Sequence, residues 1–211
     1  MTFLITAGPT QEPIDPVRYI SNRSSGRMGY AVAEAAIEAG HEVTLISGRT
    51  CLTPPKTAQL IPVTTADEMF AAVTKRVGQN DVLVMCAAVA DYRPAQYSEE
   101  KIKKHTDRLS LELVATPDIL GSLPRERKFL VVGFAAETND IEENAVNKLH
   151  RKNLDMIVAN DVSRSDIGME SAENEVTIFF RDGNSKKIKR TSKEIIAREL
   201  VKIISNMKKN V

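Results

Sequence analysis

Residues 3–40 read FLITAGPTQEPIDPVRYISNRSSGRMGYAVAEAAIEAG. The apolar run Phe3 to Ala7 stops at Gly8 and predicts a strand. At the other end, Ala31, Ala35 and Ala39 share one helical face with Val32 and Ala36 beside them. Gly40 stands where a C-terminal cap belongs, so a helix is expected from about Ser25 to Ala39. A strand feeding a helix is the repeating unit of α/β folds. The connection between them, Gly8 to Ser24, is long, because such loops usually take about 2–6 residues. Arg18, Asn22, Arg23, Ser24, Ser25, Gly26 and Arg27 crowd the helix start. Helix-terminal amides, hydroxyls and glycines that permit close backbone approach suit a phosphate or carboxylate. A serine cap alone would explain Ser24 or Ser25. It does not explain arginines at the positive end of a helix dipole.

The same alternation continues along the chain. HEVTLISG predicts a second strand and LIPV a short third, and Thr65 with Glu68 has capping-box spacing for a helix through about Val77. DVLVMCAAVA is a continuous apolar run, as expected of a strand buried on both faces. TPDILGSL places Pro117 at a first helical position. FLVVGFAAE and DMIVAND are further strands around a charged helix from Ile141 to Lys152. EVTIFFRDGNSKKIKR predicts a hairpin about Asp182-Gly183-Asn184, and TSKEIIARELVKIISNM a final amphipathic helix. We therefore expect one α/β domain over residues 1–211. Its sheet should be Rossmann-like and mainly parallel, with flanking helices and a C-terminal β-hairpin.

Composition narrows the function classes. The 211 residues are 42% hydrophobic and 27% charged, and 29 Lys plus Arg nearly balance 28 Asp plus Glu. No global field draws the chain to nucleic acid or an anionic membrane. Cys51 and Cys86 lie far apart and outside any CxxC spacing, which points away from disulfide and zinc and toward a reducing cytoplasm. The N-terminus lacks a signal-peptide pattern, and no apolar run approaches the roughly 20 residues that span a bilayer.

Two further motifs carry chemistry. In CAAVADYRP, small residues Cys86 to Val89 at a strand's carboxyl end would let a flat base approach the backbone. Asp91 just beyond could meet a hydroxyl or a metal; a packed strand with a turn-forming Asp is the alternative. The polar connection Tyr92 to Arg108 carries EEKIKK, whose Lys101, Lys103 and Lys104 are either solvated charge or a mobile cation for phosphates. From about Arg93 to Arg108 this segment is expected to act as a lid ordered by ligand. Lys148 and Lys152 share a helical face beside Arg151. His41, His105 and His150 lack a Ser or Cys partner, so hydrolase triads are disfavoured. A dinucleotide site is also disfavoured: Gly26-x-x-Gly29 is only a fragment of G-x-G-x-x-G, and strand two ends without an acid. Arg49 could suit a 2′-phosphate, which keeps an NADP-dependent reductase as a rival. A nucleotide-binding module without catalysis is a third reading.

ITAGPTQEPIDPVRYISNRSSGRMG, CAAVADYRP, EKIKK, TPDIL, GFAAET and KNLDMIVAND occur in this order. Together they closely resemble the bacterial phosphopantothenoylcysteine synthetase family, the phosphopantothenate–cysteine ligases of coenzyme A synthesis. The resemblance implies CTP, 4′-phosphopantothenate and L-cysteine as substrates, an acyl-cytidylate intermediate, Mg2+ with the nucleotide, and a homodimer. It implies that the NRSSGRMG terminus, with Ser24, Ser25 and Gly26, holds phosphopantothenate. Asn22 would face the reacting carboxylate and Arg18 would support it. Ala87 and Asp91 would line the nucleotide, with Asp91 near its sugar or metal. Lys101 would act on the triphosphate. Pro117, Asp118, Ile119 and Leu120 would contact phosphate, and Phe134, Lys148 and Lys152 would complete the CTP site. Arg23 and Arg27 receive no catalytic role. In most bacteria this domain follows a flavin-dependent decarboxylase. No flavin is expected in this chain, which is expected to be stand-alone or excised, with a decarboxylase as a possible associate.

Overall fold

The computed structural model describes residues 1–104, 107–163 and 171–209. His105 and part of the expected lid lie outside them. The apolar runs become the strands of one eight-stranded sheet: β1 (Thr2–Ala7), β4 (Glu42–Ser47), β5 (Gln59–Pro62), β6 (Val82–Met85), β9 (Leu130–Glu137), β10 (Met156–Asp161), β11 (Glu173–Phe180) and β12 (Ser185–Ser192). Their order is β12-β11-β10-β9-β6-β1-β4-β5. The strands from β5 to β10 pair in parallel, and β11 and β12 add an antiparallel hairpin at one edge. This is the Rossmann-like α/β sheet expected from the sequence.

Both faces are covered, which is why the central strands read as uninterrupted apolar runs. Helices α1 (Arg27–Glu38) and α4 (Lys193–Lys209) pack with Phe3, Ile5, Val84 and Val158 on one face. Helices α2 (Ala66–Arg76) and α3 (Ile141–Arg151) pack with Leu4, Leu83, Val131 and Ile157 on the other. Thr65 caps α2 by accepting the Glu68 amide at 3.2 Å, as its spacing predicted. None of the described helices is long and apolar enough to cross a membrane. The chain leaves β1 toward β4 on one side and returns through α2 to β6 on the other. The switch in direction therefore falls between β1 and β6, where open α/β sheets bind ligands beyond the carboxyl ends.

Five local features differ from the sequence reading. The run DVLVMCAAVA is a strand only to Met85. Beyond it, backbone partners come from the segment after β1: Ala88 donates to Gly8 O at 3.0 Å and accepts from Thr10 N at 3.2 Å. Buried Thr6 and Thr10 hydroxyls take the Ala87 and Ala90 amides at 3.1 and 2.9 Å. TPDIL forms turns rather than a helix. Gly121 and Pro124 leave too short a stretch to propagate, although Ser122 N reaches Asp118 O at 3.0 Å.

Helix α1 begins at Arg27, not Ser25, with Gly26 at its N-cap in left-handed conformation (φ 79°). That conformation favours glycine, so the cap carries no side chain. The connection Gly8 to Ser24 contains a small hairpin, β2 (Gln11–Pro13) with β3 (Tyr19–Ser21). The polar connection likewise begins as β7 (Tyr92–Pro94), paired with β8 (Leu113–Ala115). These two ribbons project from the sheet's carboxyl edge.

Candidate active site

A cavity of about 350 Å³ opens at the switch point. The start of α1 supplies Ser24, Gly26, Arg27, Met28 and Gly29; the segment after β6 supplies Cys86 to Val89 and Asp91. Phe134 and Ala136 of β9, Lys148 of α3, Asn160 of β10, Asn174 of β11 and Lys193 of α4 close the far side. The start of α1 can sit here because Gly29 lets the helix press onto β1. A Cβ on Gly29 would stand 2.6 Å from Ala7 Cβ and 3.0 Å from Thr6 O.

Asn22 stands at the rim. Its Nδ2 donates to Ala88 O at 3.2 Å and to Val89 O at 3.0 Å, so the loop before α1 is tied to the segment after β6. Thr10 N, Asn22 and Thr116 Oγ1 also engage the carbonyls of Ala88, Val89 and Ala90. Reading a base edge with this backbone is thus more restricted than the sequence implied, since the Ala87, Ala88 and Ala90 amides are already donated.

Lys148 is the cation set deepest among the predicted nucleotide residues. Its Nζ donates to Phe134 O at 2.8 Å. Burial pushes its ammonium below the ordinary lysine value; Glu137 and Asp91 oppose that shift, while Lys152 and Arg151 reinforce it. Lys152 lies beside the cavity rather than in it, ion-paired to Asp118. Burial raises the Asp118 carboxyl, but Lys152 and the Gly121 amide outweigh it, so the net shift is downward. The Ile119 side chain is 4% exposed and packs in the core, so a phosphate contact there would fall to its backbone. Pro117, Leu120 and Ser25 do not line the cavity. Neither do Arg18 and Lys101: Arg18 pairs with Asp15 on the β2–β3 ribbon, and Lys101 is exposed on the segment that follows β7.

The structure brings in residues the sequence reading left out. Arg27, given no catalytic role above, lines the cavity, and Lys193 does so at 3% exposure. Burial lowers the Lys193 ammonium, and Cys86 opposes that shift while Arg27 adds to it. Asn160 was visible within DMIVAND but carried no signal of its own. Asn174 sits at a register shift in the β11–β12 ladder, a distortion common beside functional sites. Burial raises the Cys86 thiol to about 12, so it is no thiolate nucleophile at neutral pH. His41 stacks on Phe3 near the opposite end of the sheet, 5.1 Å between centroids.

The geometry also weighs against a dinucleotide site. A Cβ on Gly8 or Gly26 would meet Thr50 Cγ2 at 2.8 or 2.7 Å. Thr50 thus fills the notch over the β1–α1 turn where a pyrophosphate would lie, and Arg49 lines a different depression. Among the described residues no group of three or more His, Cys, Asp or Glu could hold a metal. A cation caged by protein therefore does not fit. One that keeps phosphate and water ligands and adds the single carboxylate of Asp91 does.

Comparison with known proteins gives the family. The model of the family described as "DNA/pantothenate metabolism flavoprotein C-terminal domain" matches residues 1–207. The chain is 45% identical over 210 residues to the coenzyme A biosynthesis bifunctional protein CoaBC of Vibrio vulnificus, covering 98% of this chain and 52% of that protein. It is 47% identical over 206 residues to CoaBC of Escherichia coli, covering 95% and 50%. The chain thus spans about half the length of these curated relatives. A crystal structure of the C-terminal domain of a CoaBC protein superposes with a TM-score of 0.86 at 42% identity, covering 100% of this chain and 96% of that one. The chain belongs to the DNA/pantothenate metabolism flavoprotein C-terminal domain family.

Proposed function

We propose that this family member is a phosphopantothenate–cysteine ligase, with residues 1–211 working as one domain. It joins 4′-phosphopantothenate to L-cysteine with CTP in the cytoplasm. The carrying observation is the cavity at the switch point, where the start of α1, Asn22 and the buried ammonium of Lys148 converge. It joins an anion-binding wall to a second site of positive charge, as two anionic substrates require.

In the first step the phosphopantothenate carboxylate attacks the α-phosphorus of CTP. The phosphorus–oxygen bond to pyrophosphate breaks, leaving an acyl-cytidylate. The cysteine amine then attacks the acyl carbon, the acyl–phosphate bond breaks, CMP departs and the amine loses a proton. Ser24, Gly26 and the adjacent α1 amides orient phosphopantothenate, with Ser25 and Arg18 supporting that end. Arg27 and Lys193 add positive charge to it. Asn22 faces the reacting carbonyl, and releasing one of its two backbone contacts gives it an N–H for the oxygen that gains charge. Lys148 and Lys101 stabilise charge on the triphosphate. Phe134 and Ala87 flank the nucleotide, Asp91 meets its sugar or metal, and Lys152 with Asp118, Pro117 and Leu120 supports the phosphate side. Bound Mg2+ would draw charge from the phosphoryl oxygens, with Asp91 as its protein ligand.

A homodimer belongs to this reading. Of the nine large hydrophobic residues exposed among the described residues, seven cluster on or beside the ribbons: Val17, Tyr19, Tyr92, Tyr97, Leu109, Leu111 and Leu113. Apolar patches of this kind mark interfaces. A phosphopantothenoylcysteine decarboxylase is the associate expected from the bifunctional relatives. The test is pyrophosphate release, which should require CTP and 4′-phosphopantothenate together. Nucleotide binding without release would leave a non-catalytic module, and hydride transfer from NADPH would replace the ligase altogether.

A further inference from the structure

Asp15 lies in the turn between β2 and β3, 3% exposed. Its two carboxylate oxygens do different work. Oδ1 accepts the amides of Val17 and Arg18, each at 2.8 Å, and so shapes the turn of its own ribbon. Oδ2 accepts Arg18 Nε at 3.0 Å and Nη2, and also the amide of Ile102 at 3.1 Å, 87 residues away. Arg18 Nη2 completes the clasp by donating to Ile102 O at 2.9 Å. Both backbone polar groups of Ile102 are thus held by one charged pair. A second tie, Ser98 N to Ile14 O at 3.0 Å, lies three residues before Lys101. Lys101 is exposed and stands in the chain between these two tied residues.

We propose that Asp15, acting with Arg18, is a positioning residue for Lys101: the clasp on Ile102 sets where the lysine's backbone stands relative to the nucleotide. The proposal rests on the ligase reading for what Lys101 does. The Arg18 guanidinium also holds the Asp15 carboxyl far below the usual carboxylate range against the effect of burial, so the clasp stays charged at neutral pH. The division of labour between the oxygens makes the idea testable. Asp15→Asn keeps an acceptor for the turn amides but replaces Oδ2 with an NH2 group that cannot accept the Ile102 amide. Asp15→Ala loses both functions and serves as the measure of ribbon damage.

Trypsin cleavage at Lys101, Lys103 and Lys104, and pyrophosphate formation from CTP and 4′-phosphopantothenate, are measured for the full chain. Asp15→Asn should be cleaved several-fold faster at these sites. Its kcat for pyrophosphate formation should fall about ten- to hundredfold, as misplacing a catalytic group does, a larger change than any in KM for 4′-phosphopantothenate. In the Lys101→Gln background the same substitution should cost little more, because there is no longer a lysine to place. Cleavage and turnover like the parent's, or an undiminished loss in the Lys101→Gln background, would overturn the proposal. If the parent released no pyrophosphate, the ligase reading would fail; the cleavage comparison would still decide whether Asp15 holds the segment.

Discussion

Lys148 and Lys101 are assigned to the same triphosphate, yet they belong to regions built in opposite ways. Lys148 rises from a packed helix, is depressed in pKa by burial, and is fixed to the Phe134 carbonyl. Lys101 stands in solvent on a segment whose hold comes through its neighbour Ile102. The cavity region is finished within the chain: sheet, helices and the post-β6 backbone satisfy one another. The ribbon region presents tyrosines and leucines to solvent and so needs something more to cover it. A preformed pocket and a cation on an unfinished arm suit a reaction in which binding precedes charge stabilisation.

The largest expected effect breaks the cavity side. Asn22→Asp sets a carboxylate against the Ala88 and Val89 carbonyls and removes the proposed donor for the acyl oxygen. Loss of such a donor costs about 10²–10³ in rate. Assayed with cysteine, product formation should fall by that much while the acyl-cytidylate persists; circular dichroism should be unchanged because Asn22 is exposed. On the ribbon side, Lys101→Gln should lower pyrophosphate formation about ten- to hundredfold by removing one point charge from the phosphates. Lys103→Gln and Lys104→Gln should each stay close to the parent. Equal, minor losses at all three would return the run to solvated charge.

Stability should separate the two regions as well. Gly29→Ala forces a methyl into Ala7 and Thr6, and overpacking of this kind costs about 1–3 kcal/mol. Denaturant unfolding should show that loss together with weaker phosphopantothenate binding, since the start of α1 moves. Leu113→Glu on the exposed ribbon should leave the midpoint of the main transition nearly unchanged and shift the proposed dimer toward monomer in light scattering. The smallest effect is a pH dependence. Because the Lys148 pKa is lowered, its positive charge is lost on raising pH before that of an ordinary lysine. KM for CTP should therefore rise below the usual lysine range, and Lys148→Arg, which keeps its charge, should flatten that rise.

The cavity region was largely legible in the sequence, and the ribbons were not. Phe3 to Ala7, Val82 to Met85 and Leu130 to Glu137 announce buried strands because both faces are covered. The ribbon strands are three residues each, and Pro13 and Pro94 lie within them, so no alternation could declare them. Cys86 to Ala90 has strand composition, but its partners are Thr6, Gly8 and Thr10 rather than a ladder. Pro117 suggested a helix start at TPDIL, but the stretch forms turns and the Ile119 side chain packs in the core. Lys193 owes its place to tertiary contacts that no local spacing encodes, and so does the reach of Asp15 to Ile102.

The central claim is that one cavity carries out two successive half-reactions. Its most direct test is a single-turnover experiment with 4′-phosphopantothenate and CTP but no cysteine, quenched and analysed by mass spectrometry. An acyl-cytidylate should appear in step with pyrophosphate and then convert to the cysteine amide and CMP when cysteine is added. Pyrophosphate without the acyl-cytidylate, or product formed only when all three substrates are present together with no intermediate, would contradict it.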